Sequence, residues 1–185
     1  RSKKLTQLEQ KGVDTGMGLE RLAMAIQSAP TVFETDLFKP IIQLIPHRDI
    51  PGEARAVRII ADHIRGAAFL IADGVLPSNV AQGYILRRLL RRATRYGMVL
   101  NLDKNFLISL AQKVIEIYKE FYPELSMKKE DILTVIQKEE EKFSKTLERG
   151  LKELEKKLIN KAEKIISGKD AFYLYESYGF PMELT

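Results

Sequence analysis

The chain has 185 residues, 45% hydrophobic and 30% charged, which suits one good core, or one domain and part of another. Thirty Lys and Arg against 25 Asp and Glu give a net charge of +5, which favours a polyanionic partner. No apolar run approaches the ~18 residues of a membrane span, no signal-peptide pattern is visible, and the lack of Cys excludes a disulfide framework and thiolate metal sites and fits a reducing cytoplasm.

Residues 1–12 are polar and Lys-rich, with Leu5 and Leu8 as the beginning of a strand. In VDTGMGLERLAMAIQ, Val13 ends an extended segment, Gly16 and Gly18 make a tight turn, and Leu19, Leu22, Ala23 and Ile26 have helical spacing. A Gly turn leading into a helix N-terminus is a ready anion site, because unpaired N–H groups and the helix dipole point outward. Arg21, in the first turn, could reach the same anion; a plain turn with a surface arginine explains the spacing equally well. Residues 34–50 read as a short helix capped by Thr35 or Asp36, and Pro46, Pro51 and Gly52 mark a linker and domain boundary near 46–53.

From Glu53 to Ala72 a long apolar pattern predicts a helix, with Arg55, Arg58 and Arg65 adding basic surface. His63 beside Asp62 reads as a satisfied structural residue, and His47 as a loop residue without a partner. With two His, no HxxxH pattern and no Cys, a zinc site is not expected. Asp73–Gly74 and Pro77–Ser78 form a turn before a helix over about 79–96, with Gly97 at its C′ position.

That helix carries Arg87, Arg88, Arg91, Arg92 and Arg95, five arginines in nine residues, and no acid lies between Asp73 and Asp103. At ~100° per residue the arginines fall between about 0° and 140°, and Ile85, Leu86, Leu89, Leu90 and Ala93 between roughly 160° and 300°. A solvated face usually mixes Lys with Glu, so this one reads as phosphate-facing; a solvated basic face or a contact for an acidic protein is the plainer alternative.

Residues 103–122 predict another amphipathic helix, stopped by Pro123. A long helix from Lys129 to Ile166 follows, with one apolar stripe and i,i+4 pairs such as Glu141–Lys145 and Glu148–Lys152. Ser167–Gly168 breaks it, and Asp170–Ser177 form a last short helix. The expected architecture is mainly α: five or six helices over 54–178, preceded by a strand–turn–helix stub. The chain starts at Arg1 without Met and stops at Thr185, so both ends read as cuts through a longer protein.

Three segments, VDTGMGLERL, ADHIRGAAFLIADGVLPSNVAQGYILRRLLRRATRYG and DAFYLYESYGFPMELT, together resemble alanyl-tRNA synthetase, in matching order and spacing. The resemblance implies two parts. Residues 1–50 would be the C-terminal part of a class II antiparallel α+β catalytic domain, containing motif 3. Residues 51–185 would be the helical tRNA-recognition domain, cut before an editing domain. It implies ATP-dependent attachment of alanine to tRNA(Ala), with ATP and Mg²⁺ used by the full-length enzyme and zinc outside this segment. Arg21 would contact the ATP phosphates and Asp14 the ammonium group of alanine, while Gly16 and Gly18 keep the backbone low beneath the adenylate.

The same resemblance makes Asn79 and Glu176 readers of a wobble G·U pair in the acceptor stem. Such a pair leaves the guanine amine free in the shallow minor groove, where a carboxylate or an amide can accept from it. The arginines at 87, 88, 91, 92 and 95 would hold flanking phosphates without reading sequence. The family usually has Asp where this chain has Glu176, which lengthens the reach by one methylene. Motifs 1 and 2 are missing, so the chain alone is expected to bind tRNA without aminoacylating it. The expected location is cytoplasmic, with no membrane and no DNA partner. A non-catalytic RNA-binding helical module is the alternative.

Overall fold

The computed structural model describes residues 6–7, 9–47, 51–159, 165–178 and 180–182. The expected strand at Leu5 and Leu8 lies outside these residues, as does the middle of the 46–53 linker. The described chain is mainly α. Two compact units separate between Lys39 and Pro40.

In the first unit, α1 (Leu19–Ile26) is followed by a 3₁₀ turn at Val32–Glu34. The Thr31 hydroxyl accepts from the Phe33 N–H at the start of that turn. Buried Thr35 donates to the Val32 carbonyl at 2.6 Å, which closes it. The Phe33 and Phe38 rings meet at 5.2 Å. Of the single helix expected over 34–50 only the short α2 (Lys39–Ile42) forms among the described residues, because the 3₁₀ turn ends at Glu34 and precedes it.

The second unit is built around α3 (Pro51–Ala72), which touches four later helices: α4 (Ala81–Val99), α5 (Phe106–Tyr118), α6 (Pro123–Met127) and α7 (Lys129–Ile159). Its buried side is rich in alanine: Ala56, Ala61, Ala67 and Ala68 alternate with Val57, Ile60, Ile64 and Ile71. Small side chains let the α4 backbone approach closely, and Leu86, Leu90 and Ala93 are buried in return. Gly97 is inside α4, not beyond its end: a Cβ there would lie 2.2 Å from the Phe106 ring, so the missing side chain is what lets Phe106 dock. Pro123 opens α6 at a helical first-turn position, where its absent N–H costs nothing, while α5 already ends at Tyr118.

Phe143, Leu147, Leu174 and Phe180 form a second buried cluster that holds α8 (Gly168–Tyr178) on α7. α8 starts earlier than expected because Ser167 caps it. Its Oγ accepts from the Asp170 N–H at 3.2 Å and donates to the Asp170 carboxylate at 2.7 Å. The two acids of α7 expected to pair with Lys145 and Lys152 are bonded to other partners. Glu148 takes Lys104 of the α4–α5 connection at 2.9 Å, and Glu141 accepts from Gln137.

Candidate nucleic-acid interface

The loop between α3 and α4 is fixed at both ends. At α3, Gly74 adopts φ +90°, the Gly74 N–H donates to the Ile71 carbonyl and the Val75 N–H to the Leu70 carbonyl. This is the Schellman closure that only glycine makes without strain. At α4, the Ser78 N–H donates to the Gly83 carbonyl at 3.0 Å, and the Ser78 hydroxyl accepts from the Val80 N–H and donates to the Val80 carbonyl. Asn79 sits between these anchors, exposed. It is not the helix cap: Val80 holds that position without a side-chain cap bond.

Along α4 the arginines divide. Arg88 and Arg92 are exposed, whereas Arg87, Arg91 and Arg95 are half-buried. Arg91 Nε donates to buried Glu139 of α7 at 2.8 Å, and its guanidinium lies 5.1 Å from the Phe143 ring centre. Arg95 stacks on the neighbouring Tyr96 ring at 4.9 Å. Exposed Tyr84 and Ile85 stand one helical turn before Arg88. Ile85, at the edge of the expected apolar arc, is therefore on the outer side.

The basic contribution of α3 is partly structural as well. Half-buried Arg65 donates to the Tyr118 hydroxyl at 3.2 Å. Buried His63 pairs through Nδ1 with Asp62 at 3.0 Å. That hydrogen bond is the main reason the Asp62 carboxyl is held below its usual range; burial opposes it, and the charges of His63, Arg65 and Arg92 add to it. His47, expected to be partnerless, pairs with the Ile45 carbonyl at 2.6 Å.

Glu176 is exposed on α8, two residues past buried Leu174 and so about 200° around the helix from the packed side. Lys157 of α7 fixes α8 by donating to Asp170 at 2.8 Å while lying 4.8 Å from the Tyr173 ring centre. The Asp170 bond raises the Lys157 pKa. α4 and α8 both dock on α7, and Phe143 touches each of them, through Arg91 and through the Leu174 cluster. The helix that follows Asn79 and the helix that carries Glu176 thus pack on one shared helix.

In the first unit, Asp14, Gly16, Gly18 and Arg21 are all exposed around the start of α1. Gly18 is the N-cap and supplies no side-chain bond to the first turn. Its φ of −67° is ordinary, and a Cβ would meet only the Arg21 and Glu20 side chains at 3.8–3.9 Å; nothing lies within 4 Å of a Cβ at Gly16. The local fold does not demand glycine at either position. No group of three His, Cys, Asp or Glu among the described residues could hold a metal ion, and no described helix is long and apolar enough to cross a membrane.

A family model described as "tRNA synthetases class II (A)" matches residues 1–185. The chain belongs to the class II tRNA synthetase (A) family. It is 49% identical over 191 residues to "Alanine--tRNA ligase" of Bacillus pumilus (strain SAFR-032), covering 97% of this chain and 22% of that protein. The Bacillus subtilis (strain 168) ligase gives the same figures, and that of Elusimicrobium minutum (strain Pei191) is 51% identical over 183 residues, covering 96% and 21%. The chain spans about a fifth of the length of these relatives. Sequence reasoning placed Ser78 in the turn but passed over its hydrogen bonds and over Gly83, which together fasten the Asn79 loop. The available signal was QGY in the first turn of α4, a glycine where a helix prefers almost anything else.

Proposed function

We propose that the chain carries part of the active site of an alanine–tRNA ligase together with its acceptor-stem reader. The observation that carries the reading is the exposed Asn79 loop, fastened at both ends, opening a helix that has five arginines and no acid. Its two exposed arginines, Arg88 and Arg92, are the foremost phosphate contacts, and Arg87, Arg91 and Arg95 line the same arc. Asn79 and Glu176 read the G·U pair. Exposed Tyr84 and Ile85 suit the sugar edges of a shallow groove. The two-part organisation, with a motif 3 segment in residues 1–50 and a helical tRNA-recognition domain in 51–185, belongs to this reading, as does a cytoplasmic location.

The ATP phosphates fit the start of α1, where the Arg21 guanidinium is exposed and no side chain caps the first turn. Asp14 would hold the substrate ammonium group. Gly16 and Gly18, which the fold itself does not require, would leave room for the adenylate. A magnesium cage is not formed among the described residues. Arg21 and Asp14 would contribute charge neutralisation and placement to the chemistry. In the parent reaction the alanine carboxylate attacks the α-phosphorus of ATP, giving alanyl-adenylate and releasing pyrophosphate, and a hydroxyl at the tRNA 3′ end then takes the alanyl group and releases AMP. The chain alone should give no alanine-dependent ATP–pyrophosphate exchange; a measurable rate would overturn that part.

Binding to acceptor-stem minihelices bearing G·U or G·C tests the reader. Asn79→Ala and Glu176→Ala should each cost about 1–3 kcal/mol of discrimination. Equal binding of both RNAs by the unmutated chain would sink the assignment.

A further inference from the structure

The Asn79 loop is held more tightly than a connection between two helices needs. Gly83 is buried in the first turn of α4, and a Cβ there would lie 2.3 Å from Ser78 Oγ, 2.4 Å from the Leu76 carbonyl oxygen and 2.8 Å from Ser78 Cβ. The second contact is backbone, so no side-chain rotation relieves it. The loop lies directly on the glycine, and its Ser78 N–H bonds the carbonyl of the same residue. Ala81 adopts φ +48° where the loop turns into the helix. A non-glycine residue in the left-handed region persists only where its surroundings over-determine it. Here the surroundings are the Gly83 contact and the Ser78 hydroxyl, which bonds both the N–H and the carbonyl of Val80.

We infer that Gly83 and Ser78 are positioning residues for Asn79: the side-chain-free seat at Gly83 sets where the amide stands against the base pair, and G·U selectivity depends on a buried glycine that touches no RNA. The inference rests on the reading of Asn79 as a base reader. A shift of the loop by even an ångström would move the amide out of hydrogen-bond range, since such bonds weaken steeply beyond about 3.2 Å. The arginines lie on the helix body beyond the seat, so phosphate binding should be spared.

The test measures dissociation constants of the full 185-residue chain for G·U and G·C minihelices across a salt series. The unmutated chain is compared with Asn79→Ala, Gly83→Ala and the double variant. Alanine is the better helix former, so Gly83→Ala should leave α4 itself intact. Its G·U over G·C preference should fall about tenfold or more, close to the Asn79→Ala value. G·C affinity and the salt slope should stay within about twofold of the unmutated chain. The double variant should be no less selective than Asn79→Ala, because both changes remove one interaction.

Full selectivity in Gly83→Ala, with selectivity lost in Asn79→Ala, overturns the inference and leaves the reader intact. Full selectivity in Asn79→Ala removes the reader, and the inference with it. Additive losses in the double variant also overturn the inference. Should Gly83→Ala melt early or lose G·C binding, Ser78→Ala decides: selectivity lost supports the seat, and selectivity kept overturns it.

Discussion

Replacing Glu140 by Gln should make the protein more stable at pH 8 and nearly unchanged in mild acid. Glu140 projects from α7 into the packed side of the domain and is buried. Burial pushes its carboxyl from 4.5 up to about 7, against the pull of the Leu107, Asn105 and Phe106 N–H groups and with a further push from Glu141. Those N–H groups belong to the start of α5, whose N-cap, Asn105, sits at φ 63° and makes no side-chain cap bond. A carboxylate there would gain from the helix dipole, but loss of water outweighs that gain. Lys104, Asp103 and Glu148 line the adjoining cavity of about 320 Å³ without reversing the balance.

The sign follows from linkage. The folded pKa is raised, so the folded state binds more protons than the unfolded one between 4.5 and about 7, and stability falls as pH rises through that window. The full effect is present below 4.5 and is lost once pH passes about 7. Integrated from pH 5 to pH 8, one such group costs roughly 2–3 kcal/mol. Gln keeps an acceptor for the α5 N–H groups and never ionises. Urea denaturation of both proteins should show a difference in unfolding free energy that grows by about that amount in favour of Gln between the two pH values. A pH-independent difference, or a Gln variant less stable at pH 8, would refute the account of Glu140.

Arg88→Ala and Arg91→Ala should part company. Arg88 is exposed, so its removal should weaken both minihelices alike and reduce the salt slope by about 1, with stability unchanged. Arg91 neutralises buried Glu139, so its removal should cost roughly 2–3 kcal/mol in urea denaturation. Gly97→Ala should destabilise by about 1–3 kcal/mol through its clash with Phe106, and Phe106→Leu in the same chain should recover part of that in the same assay. Ser167→Ala should cost about 1 kcal/mol and speed amide exchange at the start of α8.

Periodicity carried most of the helical architecture. The arginine arc on α4 was readable because 3.6-residue geometry fixes which residues share a face. What periodicity cannot supply is the identity of the neighbour. Arg91 sits in the same arc as Arg88, yet Glu139, 48 positions later, takes its Nε. Glu148 has lysine at helical spacing and still pairs with Lys104. Gly97 reads as a helix stop, because nothing local shows that Phe106 needs the space. Ile85 lay at the margin of the apolar arc, where small errors in angle decide exposure. In the candidate site, residue types marked Asn79 and Glu176 only through family resemblance. The seat at Gly83 rests on a close approach that spacing does not encode.

The most direct measurement of the central claim changes one exocyclic group on the RNA. Inosine in place of guanosine in the wobble pair deletes the minor-groove amine and leaves the backbone and its phosphates in place. The chain should bind the I·U minihelix about as weakly as G·C, with an unchanged salt slope, and Asn79→Ala and Glu176→Ala should abolish the gap between G·U and I·U. Equal affinity of the unmutated chain for G·U and I·U would contradict the central claim.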